Sequence, residues 1–264
     1  MDIENNSFAH PDFYLLTAEE AGKDIKIEQV KEMAKQAAFA PVLSEHKVCI
    51  IDDAGQMTAE AANSLLKLLE EPPPGWLFIL ITQQAERLLP TVLSRVVRLR
   101  FDAPDSSAVQ QILKAKGITQ NTQVLAALAG GSPGRALSYN QADIFAIRRE
   151  ALDLLKKLPL QNPFGYIAAL GWGEKYDRAS ALLLTEQFIY LLRDVLLVQS
   201  GAGGQVYNTD IMAGLDGIAA DWPLHTARQG VNAAQEAWQN INKNVSAKNV
   251  LEALVLKLDL LRKE

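Results

Sequence analysis

One cysteine, Cys49, stands among 264 residues. That scarcity excludes an intrachain disulfide framework and any zinc site built from several thiolates, and the flanking Val48 and Ile50 mark the thiol as a buried structural side chain. Histidine is nearly as rare: His10, His46 and His225 lie far apart with no second ligand at metal spacing, so all three read as structural and no metal is expected on this chain. No run of eighteen apolar residues occurs. Even Trp76-Leu77-Phe78-Ile79-Leu80-Ile81 stops at Thr82-Gln83-Gln84, and Met1-Asp2-Ile3-Glu4-Asn5-Asn6 has neither the basic nor the apolar segment of a signal peptide. The expectation is therefore a cytoplasmic protein with no membrane partner, in which Asn5-Asn6-Ser7 and Asn244-Val245-Ser246 fit the glycosylation pattern by chance.

An excess of positive charge is missing too. The formal net charge is −5, with 10 Lys and Arg against 15 Asp and Glu in residues 1–101 and 16 against 16 in 102–264. Binding to a phosphate backbone draws mainly on Lys and Arg, so neither part is a self-sufficient nucleic-acid binder. Any DNA contact is local or shared with partners. What is present is a globular composition, 48% hydrophobic and 22% charged, over a length that suggests two compact units.

The first hundred residues alternate two periods. Lys47-Val48-Cys49-Ile50-Ile51-Asp52 and Trp76 to Thr82 are near-continuous apolar runs that suit strands buried on both faces, and Val96-Val97-Arg98-Leu99-Arg100-Phe101 is a third, more amphipathic run rich in β-branched residues. Between the first two, Thr58 can cap a helix with Ala61, Ala62, Leu65, Leu66 and Leu69 at helical spacing and Glu60 near its positive end, stopped by Pro72-Pro73-Pro74-Gly75. A second short helix is expected over about Ala85–Ser94. Strand, helix, strand, helix, strand with short joints is the pattern of a parallel α/β sheet, whose sites lie beyond the carboxyl ends of the strands. After Phe101 every periodic segment is helical. Short helices are expected near Ser106–Lys116, Gln120–Ala129 and Gly134–Gln141, then a bundle that includes Thr185–Val198 and Ser246–Leu261, with the Gly201-Ala202-Gly203-Gly204 loop between them.

The chemistry-bearing candidate is Val48-Cys49-Ile50-Ile51-Asp52-Asp53, an apolar strand ending in two carboxylates. One such carboxylate can hold magnesium, directly or through water, while the second polarises an attacking water in phosphoryl transfer. The same hexamer also reads as a strand end with solvated acids and a helix cap. Its continuation, Asp52 through Glu70-Glu71-Pro72-Pro73, resembles the clamp-loader AAA+ family from the Walker B strand to the Leu-Glu-Glu-Pro-Pro end of the following helix. Leu80-Ile81-Thr82 is similar to that family's sensor 1 strand. Leu89-Pro90-Thr91-Val92-Leu93-Ser94-Arg95 is similar to its Ser-Arg-Cys motif, with Val96 where the family usually has Cys. His10-Pro11-Asp12-Phe13 and Lys26-Ile27-Glu28-Gln29-Val30 resemble the delta-prime branch of the family in particular. Gly130-Gly131-Ser132-Pro133-Gly134-Arg135-Ala136-Leu137 resembles the sensor 2 turn and helix start, and Asn244 to Leu261 the last collar helix.

The resemblance implies a truncated AAA+ core of α/β class over 1–101, a helical lid module over 102–157 and an all-α collar, the oligomerisation domain, over 158–264. Arg95 matches a trans-acting arginine finger, Asp52 and Asp53 a degenerate Walker B pair, Thr82 sensor 1 and Arg135 sensor 2. No Gly-x-x-x-x-Gly-Lys-[Ser/Thr] loop occurs, the one Gly-Lys pair, Gly22-Lys23, being read as a turn, and the four-cysteine zinc module is missing as well. In the family both precede the His-Pro-Asp-Phe match. Asp53 stands where active relatives have Glu, and Gln83-Gln84 follows Thr82 where Asn or Ser is more usual. The implied role is a non-hydrolysing subunit that binds no cofactor itself, with ATP and Mg at neighbouring subunits. Its implied partners are other clamp-loader subunits (delta, tau/gamma), the sliding clamp indirectly, and primed DNA only within the complex. Two other readings stay open: an independent AAA+ ATPase or Holliday-junction motor with a missing amino terminus, and a degenerate paralogue that packs as an interaction module.

Overall fold

The computed structural model describes residues 10–20 and 23–263. Asn5-Asn6-Ser7, and Gly22 of the Gly22-Lys23 pair, lie outside the described residues. The chain divides into two compact units after Phe101.

In the first unit, β1 (Phe13–Leu16), β2 (Lys47–Ile51) and β3 (Trp76–Leu80) form a parallel sheet in the order β1-β2-β3. Helix α1 (Ile27–Gln36) connects the first two strands and α2 (Ala59–Glu70) the last two, and a single turn of helix, α3 (Pro90–Leu93), follows β3. Crossovers between parallel strands are right-handed, so a sheet that grows in one direction receives both crossover helices on the same face. Here α1 and α2 pack on each other, and the core beneath them joins Leu16, Val30, Met33, Cys49, Ile51, Ala61, Leu65 and Trp76. Thr58 caps α2 through Ala61 N at 3.2 Å, as its place before the apolar period predicts.

Three sequence expectations need correction. The run 76–82 is covered on one face only: Trp76 is buried, whereas Leu77, Ile79 and Ile81 are 50%, 38% and 46% exposed. Strand β2 alternates likewise, Cys49 and Ile51 buried and Val48 and Ile50 half-buried. Continuous apolarity reads as burial on both sides, but covering depends on helices elsewhere in the chain. Nor is Val96–Phe101 a strand. Among the described residues it joins no ladder, and Val97, Leu99 and Phe101 are 89%, 77% and 91% exposed. The third strand is instead Phe13–Leu16, too short to show a period of its own and defined by pairing with Val48–Ile51. The expected helix over 85–94 is a 3₁₀ turn, Ala85–Arg87, followed by α3.

The second unit is all helical: α4 (Ser106–Ala115), α5 (Thr122–Leu128), α6 (Pro133–Gln141), α7 (Ile144–Lys157), α8 (Pro163–Leu170), α9 (Trp172–Lys175), α10 (Arg178–Gln199), α11 (Met212–Asp221), α12 (Leu224–Asn242) and α13 (Ala247–Leu261). One continuous hydrophobic cluster runs from Val109 to Leu258, so residues 102–157 and 158–264 share a core. Helix α10 starts two turns before the expected Thr185. It is the axis of this unit, packing against α7, α11, α12 and α13 through residues that include Leu184, Phe188, Leu191 and Val195. Gly230 of α12 permits that approach, since a Cβ there would meet Leu192 Cδ1 at 3.0 Å. Leu251, Leu254, Val255 and Leu258 of α13 are buried and Leu261 is half-buried, on the stripe the sequence predicts.

Candidate functional site

Asp52, Asp53 and Thr82 come together at the carboxyl ends of β2 and β3, where open α/β sheets place their sites. Asp52 N bonds to Leu16 O at 2.9 Å and Ala54 N to Ile81 O at 2.8 Å, so the ladder registers fix all three positions. The carboxylates serve the turn that follows. Asp52 Oδ1 accepts from Asp53 N at 3.0 Å, and Asp53 Oδ2 accepts from Gln56 Nε2 at 2.9 Å. Asp53 itself is left-handed, with φ 53°, a region its short polar side chain tolerates. Thr82 Oγ1 accepts from Gln84 N at 3.2 Å and turns the chain after β3. Gly55 lets the two tips close, because a Cβ at that position would lie 3.0 Å from Thr82 Oγ1.

These residues do not fit a nucleoside triphosphate by themselves. Two exposed carboxylates and a hydroxyl are oxygen ligands for a cation, but phosphates need a lysine and a run of converging backbone N–H groups, and no phosphate-loop sequence accompanies them. Among the described residues no group of three His, Cys, Asp or Glu side chains is placed to hold a metal ion.

Arg95 lies elsewhere. It follows α3, whose first turn is set by Pro90, and its guanidinium reaches the last residue of α2. Glu70 Oε1 accepts from Arg95 Nε at 2.7 Å and also from Nη2. On the other side Nη1 donates to Thr91 O at 2.8 Å and to Ser94 Oγ at 3.2 Å. Helix α2 starts beside the strand tips and its twelve residues span about 18 Å. Arg95 is thus held at the end of α2 by Glu70, away from Asp52 and Asp53.

Arg135, in the second unit, is tied down more firmly. It begins α6, where Ser132 caps Arg135 N at 3.3 Å. Its guanidinium pairs with Glu186 of α10, donates to Tyr190 Oη at 3.0 Å, and stacks over the Tyr139 ring at 5.3 Å. Tyr139 Oη donates to the same Glu186 carboxylate. Burial raises the Tyr139 and Tyr190 phenols above their ordinary range, with Glu186 adding to the shift, so both stay protonated, Tyr139 as the donor to Glu186. Burial opposes the Arg135 charge, but Glu186, Tyr190 and Tyr139 together outweigh it and raise the guanidinium above its ordinary value.

Sequence reasoning missed Glu70, Glu186, Tyr139 and Tyr190. Glu70 carried a signal, because an acid in the last turn of a helix faces the negative end of the macrodipole and asks for a cation. Glu186 carried none, standing 51 residues from Arg135 inside an apolar helix.

Comparison with known proteins gives the relatives of the chain. Residues 3–105 match the family model described as DNA polymerase III, delta subunit. DNA polymerase III subunit delta' of Bacillus subtilis is 28% identical over 94% of this chain and 76% of its own length. The Escherichia coli protein of that name is 32% identical over 85% of this chain and 65% of its length. DNA polymerase III subunit gamma/tau of Mycobacterium tuberculosis is 29% identical over 66% of this chain and 34% of its own. Among delta' relatives the chain spans between 54% and 76% of the relative's length. The fold is similar to the crystal structure of a DNA polymerase III, gamma subunit-related protein from Thermotoga maritima, with a TM-score of 0.52 and 19% identity over 94% of this chain and 83% of the other.

Proposed function

This chain belongs to the clamp-loader family of DNA polymerase III subunits, and on that premise we propose that it is a non-hydrolysing scaffold of the delta-prime type, which completes a neighbouring subunit's ATPase site. Residues 1–101 are its partial AAA+ core, 102–157 its lid and 158–264 its collar. It assembles with delta and tau/gamma subunits, acts on the sliding clamp through them, and meets primed DNA only within that complex. ATP and Mg are held by the neighbours, and the chain binds no nucleotide of its own.

One observation carries the reading: Arg95 is presented at the end of α2 remote from its own strand tips, where it serves no local phosphate site. A guanidinium supplied across an interface offsets charge on the transferring phosphoryl oxygens, an effect worth on the order of 10³ to 10⁵ in rate. The two aspartates, used to form a turn, and Arg135, used to join α6 to α10, agree with a scaffold.

The test is single-turnover ATP hydrolysis in the reconstituted loader with the other sites disabled. Arg95→Ala should leave folding and assembly intact while slowing that interface about 10³-fold. Arg95→Lys should also be defective, since an ammonium cannot meet two phosphate oxygens with a planar fork. Equal rates for wild type and Arg95→Ala would reduce Arg95 to a surface arginine.

A further inference from the structure

An arginine acting across an interface works only if its guanidinium is already in place when the neighbour's nucleotide reaches it. Free in solvent, the side chain samples many rotamers, and each lost contact lowers the fraction of time spent in the productive one. The structure shows three anchors on Arg95. Glu70 Oε1 takes the Nε–H at 2.7 Å and one Nη2–H, closing one edge of the fork. Thr91 O and Ser94 Oγ take Nη1 at 2.8 and 3.2 Å. Ser94 Oγ is itself fixed by donating to Thr91 O at 3.0 Å, so the anchors on the α3 side are a single rigid turn. One N–H of Nη2 is left without a bond among the described residues.

The two sides differ in origin. Thr91 and Ser94 are neighbours of Arg95 in sequence and come with it. Glu70 comes from another element, 25 residues earlier, and is the acid at the end of α2 that the helix dipole disfavours. Left alone it would loosen its own helix end; beside Arg95 it fixes the plane of the guanidinium.

From this we propose that Glu70 is a positioning residue for Arg95, holding the Nε–Nη2 edge so that the remaining donor of the fork is presented to the neighbouring subunit's nucleotide. This rests on the reading of Arg95 as a trans-acting finger. Glu70 touches no reacting atom, and its contribution is orientation rather than charge. An amide oxygen at the same place can accept the same two N–H donors, whereas a methyl group accepts neither. The charge of the carboxylate, if anything, competes with the phosphate for the guanidinium.

The experiment uses the full chain reconstituted with its loader partners, read by single-turnover ATP hydrolysis at the one interface across an ATP titration. Glu70→Ala should lower the maximal rate roughly tenfold and leave the ATP concentration at half-maximal rate unchanged, because nucleotide binding belongs to the neighbour. Glu70→Gln should recover to within about threefold of wild type. In an Arg95→Ala background, Glu70→Ala should cost nothing further, since there is no guanidinium left to position. Melting and assembly of each variant, followed separately, should match wild type, as expected at an exposed position. The proposal is overturned if Glu70→Ala is as fast as wild type or faster, if Glu70→Gln is as slow as Glu70→Ala, or if the two substitutions add. Should Arg95→Ala itself have no effect, the finger reading fails and takes the proposal with it. An effect of Arg95→Ala without one of Glu70→Ala removes only the positioning role.

Discussion

Two arginines at motif positions differ in how tightly they are held. Arg95 is 33% exposed and its partner Glu70 47%, and pairs in such surroundings contribute only about 0–1 kcal/mol. That is enough to orient a side chain and too little to prevent its exchange onto a phosphate. Glu186 is only 13% exposed and takes hydrogen bonds from both Arg135 and Tyr139, so the Arg135 cluster acts as a fixed joint within the second unit. At the same scale, Cys49 is fully buried with its Sγ 3.1 Å from Met33 Sδ. Burial pushes its thiol from an ordinary value of 9.0 up to about 12. The sign follows directly: above pH 9 the unfolded chain loses a proton that the folded chain keeps, so stability falls as pH rises from 9 toward 12. Cys49→Ala should flatten that alkaline limb by at most about 1.4 kcal/mol per pH unit in urea titrations. Native protein should leave a thiol reagent unreacted until it is unfolded. Rapid labelling of native protein would put the thiol at the surface.

Among the elements of the sheet, the shortest strand depends on a side chain rather than on its own length. Asp12, just before β1, is buried and accepts from Val42 N and Leu43 N at 2.7 Å and from Ser44 N at 2.8 Å. It thereby pins the loop between α1 and β2 beside the first strand. Burial would raise this carboxyl, but the three backbone donors outweigh it, helped by His10, and hold it below its ordinary 3.8. A depressed value means that the stabilisation is present above pH 3.8 and is lost as pH falls through the lower folded value. Asp12→Asn should therefore be less stable than wild type at pH 7 and show a shallower loss as pH falls below 3.8, measured by denaturant unfolding at each pH. Parallel pH profiles for the two proteins would show that the charge of Asp12 is not what holds the loop. Helix α2 stands in contrast: its cap, its apolar stripe and its proline stop all lie within its own segment, and it forms where its sequence places it.

For the whole molecule, the feature with most consequence in solution is the uncovered face of the sheet. Parallel sheets are ordinarily covered on both sides. Here Leu77, Ile79 and Ile81, beside Val48 and Ile50, face away from the helices, and Val97, Leu99 and Phe101 are exposed as well. Where Val48 lies beside Leu77 and Ile50 beside Ile79 the sheet face is an apolar surface of the kind that associates with other apolar surfaces. The isolated chain should therefore bind an environment-sensitive hydrophobic dye and self-associate at rising concentration. Leu77→Thr with Ile79→Thr should reduce both while keeping the melting temperature within a few degrees, since threonine suits a strand and these side chains fill no core. Dye binding that persists undiminished in the double variant would trace the signal to another part of the molecule. No helix among the described residues is long and apolar enough to cross a membrane, so the face is a sheet surface and not part of a spanning helix.

What the sequence by itself determined was whatever a contiguous segment can satisfy alone. Helices close their hydrogen bonds within four residues, so the Thr58 cap and the α13 stripe were legible. The two strand tips were legible too, since Asp52, Asp53 and Thr82 each end a long apolar run. What only the tertiary structure decided was every relation between distant segments: Glu70 on Arg95, Glu186 on Arg135, Asp12 on the 42–44 backbone, and which runs became strands. Phe13–Leu16 is a strand because β2 lies beside it, while Val96–Phe101, with the better alternation, joins no ladder among the described residues. A strand and a side-chain partner are both completed by residues brought near through folding. A local pattern records the demand for such a partner and not which residue answers it.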